Sequence, residues 1–592
     1  MPLTRTVSRA LGALEGCMRA FFLLGLLGCK GPEETPIEVS EMPIRLVDLS
    51  ASSGFDEASF GHFKRGRTCA PGDFDGDGLL DIFVGSPTDP ALVLRNISAN
   101  GEIRFETGQV LHEYGPTTWA SATADFDNDG DVDLFTGRGG NEDEQLDALW
   151  LNVDGTLINI SDSPPLNGPA GLIGEALPTA TAGVRWGDLD LDGDLDLFLS
   201  TNVIVPGEYD GLTDAEPEGR DRLLRNDGVD GWTDVGFDAG LVNRKASFNS
   251  SLIDFDNDGD LDLYQQVLVG WNRMWRNQWV ETGELTFVDA TKDLLPSDGL
   301  ALAQPKFKGF SSAAGDLNND GWTDLIVWHR GPVGPAHNMP RHLVFLNLEG
   351  EVFVEVGKHT GLSDRWHECE DLALGVMGSQ IGDLDLDGGL DVFIGNGAPP
   401  GGCANQLWLF DGLKPRDLGP HLAVQVPTYK DASVLLDVPV EGADHVPFPY
   451  RTHGTCIADY DNDGLPELAY VNGGPGYSGD EVREPNRFFD IVYEIETHWL
   501  RIRPVGDGLT VNRDGVGTRV VVKAVGADGA PFEVHRTLWG GNGFAAQNGP
   551  DLVIGLGDSV EISSVILTWT DGTEVDLGAP EVDQTLVVDK AG

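Results

Sequence analysis

One nine-residue phrase constrains this chain more than anything else in it. It first reads Asp73-Phe74-Asp75-Gly76-Asp77-Gly78-Leu79-Leu80-Asp81, and it recurs from Asp125, Asp188, Asp254, Asp316, Asp383 and Asp459. Self-similarity at intervals of roughly sixty residues means a repeat architecture, in which each unit is one supersecondary structure stacked on its neighbours. Whatever the chain folds into must present the same acidic turn seven times.

The chemistry of the turn is set by its spacing. Side-chain oxygens at positions 1, 3 and 5, glycine at position 6, a backbone carbonyl at 7 and a carboxylate at 9 wrap a hard cation, as the front half of an EF-hand loop does. The expected ligands are Asp73, Asp75, Asp77 and Asp81 in the first loop and Asp125, Asp127, Asp129 and Asp133 in the second. The third and fourth supply Asp188, Asp190, Asp192, Asp196 and Asp254, Asp256, Asp258, Asp262. The fifth and sixth supply Asp316, Asn318, Asp320, Asp324 and Asp383, Asp385, Asp387, Asp391, and the seventh Asp459, Asp461, Asp463 and Glu467. Asn318 gives the fifth loop one carboxylate fewer, so it should be the weakest site. An EF-hand is excluded, because the Glu at position 12 is missing and each loop runs straight into a β-type segment such as Ile82-Phe83-Val84 or Val392-Phe393-Ile394. Mg²⁺ keeps most of its waters and takes few protein ligands, so Ca²⁺ is the expected cofactor, at about seven sites. The alternative for one or two loops is a metal-free Asx turn.

Each loop is preceded by small residues, as in Ala120-Ser121-Ala122-Thr123-Ala124, and followed by a third strand closed by Asn, as in Leu149-Trp150-Leu151-Asn152 or Val344-Phe345-Leu346-Asn347. A fourth strand comes next, as in Val352-Phe353-Val354. Small residues suit an innermost strand crowded round a channel, and four strands in seven units predict an all-β fold, a seven-bladed β-propeller with calcium-binding blade loops. The seventh unit lacks a clear fourth strand, while Ile44–Leu49 stands spare before the first loop. That N-terminal strand is expected to complete the last blade.

The loops resemble FG-GAP/VCBS repeats, the calcium-loop blades also found in integrin α-type propellers. After the repeats, period-2 alternation in Trp499–Arg503, Thr518–Lys523 and Val565–Trp569 reads as a small antiparallel C-terminal β-sandwich. Asn512–Arg519, Gly543-Phe544-Ala545-Ala546-Gln547, Gly555-Leu556-Gly557 and Trp569-Thr570-Asp571-Gly572 resemble, in order, the ASPIC/UnbV domain, with Thr570 where that pattern more often has Pro. Together the two resemble the cartilage acidic protein family in its bacterial form, which implies architecture and calcium rather than an activity. The expected domains are 1–28, 29–43 (a linker), 44–495 (the propeller) and 496–592 (the sandwich).

Residues 1–28 read as a lipoprotein-type signal peptide. Arg5, Arg9 and Arg19 precede the apolar run Ala20–Leu27, and Leu26-Leu27-Gly28-Cys29 looks like a lipobox, with Cys29 the lipidated residue and Met18 an alternative start. The run is too short to span a bilayer, so the protein is expected to be extracytoplasmic, lipid-anchored or secreted. With 39 basic against 96 acidic residues the net charge is −57, which argues against nucleic acid and leaves the membrane no role beyond the anchor. Of the four later cysteines, Cys369 and Cys403 flank the sixth loop and are expected to meet as a disulfide at the open end of its hairpin. Cys69 and Cys456 fall in neighbouring blades, but their opposite strand parity counts against a pair.

Catalytic signatures are missing. There is no Gly-x-Ser-x-Gly, no phosphate loop, and His367-Glu368-Cys369-Glu370-Asp371 lacks the second His of a zinc helix. The expected function is a binding or adhesion module for an extracellular glycan or protein; the alternatives are a calcium-dependent polysaccharide lyase or hydrolase, and a purely structural envelope protein. Residues six positions before each loop should ring the far mouth of the channel: Arg67, Trp119, Ala182, Phe248, Phe310, Met377 and His453. Among these, Arg67, Trp119 and His453 are the expected exposed, ligand-binding side chains.

Overall fold

The computed structural model of the chain describes residues 42–591 except 57–65, 87–89, 112–117, 139–146, 162–180, 202–220, 229–230, 242–246, 268–271, 295–307, 331–341, 363–375, 398–403, 419–422, 437–450, 474–484, 546 and 560. Each acidic loop joins the first two strands of a four-stranded sheet, and among the described residues there are seven such sheets. The second strand begins on the ninth loop residue, so the register sets the residue before the loop opposite its closing carboxylate: Gly72 opposite Asp81, Ala124 opposite Asp133, Gly187 opposite Asp196. The first strand of each sheet packs beside the first strands of the next and the previous one, from Thr68–Gly72 round to Thr452–Ala458 and back, which closes the β-propeller.

The small residues upstream of the loops are what let these strands approach. Across adjacent sheets, Thr68 Oγ1 and Ser121 Oγ lie 2.6 Å apart and Ser251 Oγ and Ser312 Oγ 2.8 Å apart. Larger side chains fill the wedge as the sheets diverge outward: between the fifth and sixth sheets lie Trp328, Val344, Ile381, Val392 and Trp408, all buried. The N-terminal strand Ile44–Asp48 pairs antiparallel with Arg487–Tyr493, with Ile44 opposite Tyr493 and Asp48 opposite Phe489. The fourth strand of the last sheet therefore comes from the start of the repeat region.

Cys69 and Cys456 form a disulfide with Cα atoms 6.4 Å apart, across the seam between the first and last sheets. The parity argument against this pair is corrected by the geometry. Neighbouring blades face each other with opposite faces of their sheets, so residues that meet across a seam must have opposite parity counted back from their loops. Thr68 and Ser121, five and four residues before Asp73 and Asp125, obey the same rule. Cys369 and Cys403 lie outside the described residues.

The C-terminal module has its own core of Leu500, Ile502, Val520, Val522, Ile554, Val565, Leu567 and Trp569 between a four-stranded and a three-stranded sheet. It is not wholly antiparallel. The last strand, Gln584–Asp589, runs parallel to His498–Val505, because the intervening chain crosses to the other sheet and returns. One segment, residues 540–545 and 547–549, leaves the module and fills the centre of the propeller. Trp186 N–H donates to the Gly540 carbonyl (3.0 Å), Gly543 N–H to Ser312 (3.1 Å) and Gly549 N–H to Ile457 (2.9 Å). Thr68 Oγ1 donates to the Ala545 carbonyl, Gln547 brackets the Thr123 peptide, and Gln380 Nε2 donates to the Asn542 carbonyl. Phe544 stacks near Phe248 of the fourth sheet at 5.6 Å. All seven innermost strands thus touch this plug.

Candidate metal centre

The seven loops share one backbone shape. Position 4 is left-handed in every copy, at φ between 52° and 71° for Gly76, Asn128, Leu191, Asn257, Asn319, Leu386 and Asn462, and the position-6 glycines come next at φ between 88° and 105°. This shape aims amide hydrogens at the first carboxylate. In the second loop Asp129 N–H and Gly130 N–H donate to Asp125 at 3.0 and 2.9 Å, and the fifth repeats the pattern with Asp320 and Gly321 on Asp316 at 3.1 and 2.7 Å. In the sixth loop Asp383 takes, besides the Gly388 N–H, Gly555 N–H (2.9 Å) and Arg536 (3.1 Å) from the C-terminal module.

Position 9 anchors the loop from beneath. Asp262 accepts N–H groups from Phe255 (3.0 Å) and Asn277 (2.8 Å), and Asp391 accepts them from Leu384 and Phe410 (2.7 Å each). These carboxylates are fully buried. Burial, with the neighbouring loop carboxylates adding to it in the second through seventh loops, pushes Asp133 up to about 9 and holds Asp196, Asp262, Asp324, Asp391 and Glu467 well above the ordinary range. Burial raises Asp81 to about 7, against the Asn96 N–H and then Arg95, which lies 2.8 Å from it and 3.2 Å from Asp75.

Carboxylate oxygens converge within 4.8 Å of one another in Asp73/Asp75/Asp77, Asp125/Asp127/Asp133, Asp188/Asp190/Asp192 and Asp254/Asp256/Asp262. Several of the candidate oxygens have nothing to bond to. Asp190 Oδ1, Asp256 Oδ1, Asn318 Oδ1 and Asp385 Oδ1 at position 3, and Asp383 Oδ1 and Asp459 Oδ1 at position 1, are buried without a hydrogen-bond donor. A native interior rarely leaves such groups unsatisfied, and oxygen-only donors at this spacing are what a hard divalent cation takes. Asn318 turns its amide nitrogen to Asp320 (2.9 Å), which leaves its oxygen free for the same purpose.

Two features of the loop were not anticipated from sequence. Position-4 asparagines bridge to the next loop, Asn257 Nδ2 donating to the Gly321 carbonyl (3.0 Å) and Asn319 Nδ2 to Gly388 (2.9 Å). The preference for Asn or Gly at position 4 was the signal, since both tolerate a left-handed backbone. The second feature is a set of arginines from the C-terminal module that reach the loops. Arg513 lies 3.6 Å from Asp125, Arg519 3.8 Å from Asp254 and Arg536 3.1 Å from Asp383, and Arg501 pairs with Asp459. Nothing in the module's period-2 pattern reveals which face carries them.

At the other end of the inner strands, the expected ring assembles around the plug. Ala182, Phe248 and Phe310 form a cluster with Phe544 and Ala545, and Trp119 and Met377 pack against it. Exposure of Arg67 and His453 is corrected: they are 4% and 2% exposed, Arg67 lying between the Trp119 and Phe544 rings and His453 Nδ1 facing the Arg451 carbonyl. Trp119 is half-buried, with the Arg67 guanidinium 4.2 Å above its ring. Burial lowers Arg67 to about 10, and burial with the Arg67 charge holds His453 well below its usual value. Cys29 lies outside the described residues.

The motifs have counterparts in known families. The ASPIC and UnbV family matches residues 508–592, and the FG-GAP-like repeat matches residues 73–136 and 125–199. Cartilage acidic protein 1 of Mus musculus is 24% identical over 525 residues, covering 85% of this chain and 70% of the relative. The Xenopus tropicalis protein of that name is 23% identical over 510 residues, covering 78% and 72%. Among solved structures, the BP39L lectin from Burkholderia pseudomallei overlaps 72% of this chain and 98% of its own at 13% identity and a TM-score of 0.35. The Bacillus licheniformis rhamnogalacturonan lyase PL11 overlaps 76% and 75% at 14% identity and a TM-score of 0.33. Overlaps that shallow carry no functional weight. The chain therefore carries FG-GAP-like repeats and a C-terminal ASPIC and UnbV domain, and is a relative of cartilage acidic protein 1 over most of its length.

Proposed function

We propose that the protein is an extracytoplasmic calcium-binding β-propeller, held to the envelope by a lipid on Cys29, that serves as a binding module for a glycan or protein ligand. The observation that carries the calcium reading is the set of buried, donor-less oxygens at positions 1 and 3 of the loops. Bound Ca²⁺ would neutralise the loop carboxylates and fix the loops; the side chains at positions 1, 3, 5 and 9 would hold it. The loop face is occupied by the C-terminal module, so a ligand would meet the opposite end. There the Arg67 guanidinium lacks a carboxylate partner among the described residues, and a buried cation of that kind favours an acidic group on whatever docks. Trp119, half-buried beside it, offers a ring for stacking on a sugar.

A glycan and matrix-protein array, run in calcium and in chelator, tests the reading. Retention of acidic ligands in calcium, lost in chelator and weakened at least about tenfold by Trp119→Ala, is the expected result. No retention of any ligand, or retention indifferent to both chelator and Trp119→Ala, overturns it. Cleavage of an arrayed polysaccharide would move the protein to the lyase or hydrolase class.

A further inference from the structure

The connection between the third and fourth strands of the fourth blade carries the one α-helix among the described residues. Between Arg273–Asn277 and Phe287–Asp289 the chain makes a one-turn helix, Trp279–Thr282, closed by Gly283 in a left-handed conformation. That helix lays Glu281 against the outer side of the loop. A carboxylate oxygen of Glu281 comes within 4.8 Å of one from Asp258 and one from Asp260, at positions 5 and 7 of the loop.

Three carboxylates so close repel one another unless something positive lies between them. Asp260 makes the cost acute, because it is fully buried. One of its oxygens accepts Val280 N–H from the helix at 2.9 Å; the other, Oδ1, is buried and has no hydrogen-bond donor. Asp258 accepts the Asp260 N–H at 3.1 Å, which fixes the two side chains on one side of the turn. The basic group that bears on Asp258 is Arg276, and its Nε lies 2.8 Å from Asp256, on the side of the loop's own carboxylate group. Position 7 is acidic in two other loops: Asp194 there receives Asn128 Nδ2 at 2.8 Å, and Asp131 is half-buried where Asp260 is fully buried.

We propose that Asp258, Asp260 and Glu281 bind a second divalent cation beside the fourth loop, with Asp258 shared between it and the loop's own ion. Oxygen-only donors, a charge of −3 and one exposed side open to water suit a hard cation such as Ca²⁺ rather than a thiophilic metal. The inference rests on the calcium reading of the fourth loop only through the shared Asp258. The helix makes the second site optional for the fold, since Glu281 is exposed and buries nothing.

Crystals of the full chain soaked in a terbium salt separate the two ideas, because Tb³⁺ occupies calcium sites and its anomalous peak locates each ion. Two peaks at the fourth loop are expected, one within the Asp254/Asp256/Asp262 group and one within the Asp258/Asp260/Glu281 group. In Glu281→Gln the second peak should vanish while the first stays, and equilibrium dialysis should count one ion fewer per chain. A single peak inside the loop overturns the second site and leaves the loop reading intact. Peaks at neither position remove both. An unchanged second peak in Glu281→Gln also overturns the assignment, and an unaltered melting curve in metal-free buffer shows that the variant is folded.

Discussion

At the scale of single residues, burial decides how the loop carboxylates hold protons. Asp125 rises to about 7 and Asp133 to about 9, through burial first and neighbouring carboxylates second. Their folded values lie above the unfolded one, so the metal-free native state holds protons that the unfolded chain releases. That contribution is complete below about pH 4 and is lost as pH rises through 7 and then 9. On the proposed reading a calcium ion would take the place of those protons and, binding only the native form, would add about 2.7 kcal/mol per site at a hundredfold excess over Kd. Melting scans should therefore show the chelated protein less stable at pH 8 than at pH 5, and calcium raising the melting temperature by many degrees at pH 8 but little at pH 5. Equal melts with and without calcium at pH 8, on protein proved metal-free by elemental analysis, would refute the metal reading. The carboxylates that converge in the loops were legible in the sequence because their spacing is a local property. The arginines that approach four of the loops were not, because Arg501, Arg513, Arg519 and Arg536 lie 42 to 388 residues from the carboxylates they meet (501 − 459 and 513 − 125).

At the scale of the strand and its loop, five of the seven blades are latched to the one before by an asparagine at the end of the third strand. Asn347 is fully buried; its Nδ2 donates to the Phe255 carbonyl of the previous loop at 2.7 Å and to the Thr323 carbonyl of its own at 3.2 Å. Its Oδ1 accepts Gly350 N–H at 3.1 Å, shaping the turn into the fourth strand. Asn96, Asn152, Asn226 and Asn277 make the same inter-blade bond to Tyr460, Phe74, Phe126 and Leu189. The sixth blade has Phe410 at that place; in the seventh, Tyr493 Oη reaches the Leu384 carbonyl instead. Asn347→Ala should strand two buried carbonyls and cost about 2–4 kcal/mol, read as a lower urea midpoint in saturating calcium. Asn347→Asp should not rescue it, because a carboxylate has no donor. Rescue by Asp would mean that the residue serves the turn rather than the latch. The recurrent Asn was visible in the repeat, but its partner was not, since a bond between blades is written in no single repeat.

At the scale of the whole molecule, the ring is closed three times over, and only one closure was legible. The N-terminal strand in the last sheet was found by counting strands. The Cys69–Cys456 bridge was obscured by treating two facing sheets as though they were one. The third closure, the plug, could not be read at all, because Gly543-Phe544-Ala545 carries no periodicity and resembles an ordinary loop of the sandwich. Its path is so tight that two glycines are mandatory: a Cβ on Gly540 would collide with the Trp186 carbonyl, and one on Gly543, at φ +74°, with the Ser379 carbonyl. Gly543 also donates to Ser312 and holds Phe544 against Phe248 and Phe310. Gly543→Ala therefore cannot be absorbed by a side-chain shift; it must push the plug off the inner strands of the fifth and sixth sheets. The C-terminal module would keep its own core, which lies elsewhere. Hydrogen exchange should then show the plug-contacting amides of Gly543, Trp186 and Gly549 exchanging far faster than in the parent, with strands 519–525 and 561–568 of the module unchanged. A smaller loss is expected for Phe544→Ala, which leaves the backbone path intact and opens a cavity costing about 3–5 kcal/mol. If Gly543→Ala protects those three amides as well as the parent does, the plug is not what seals the ring.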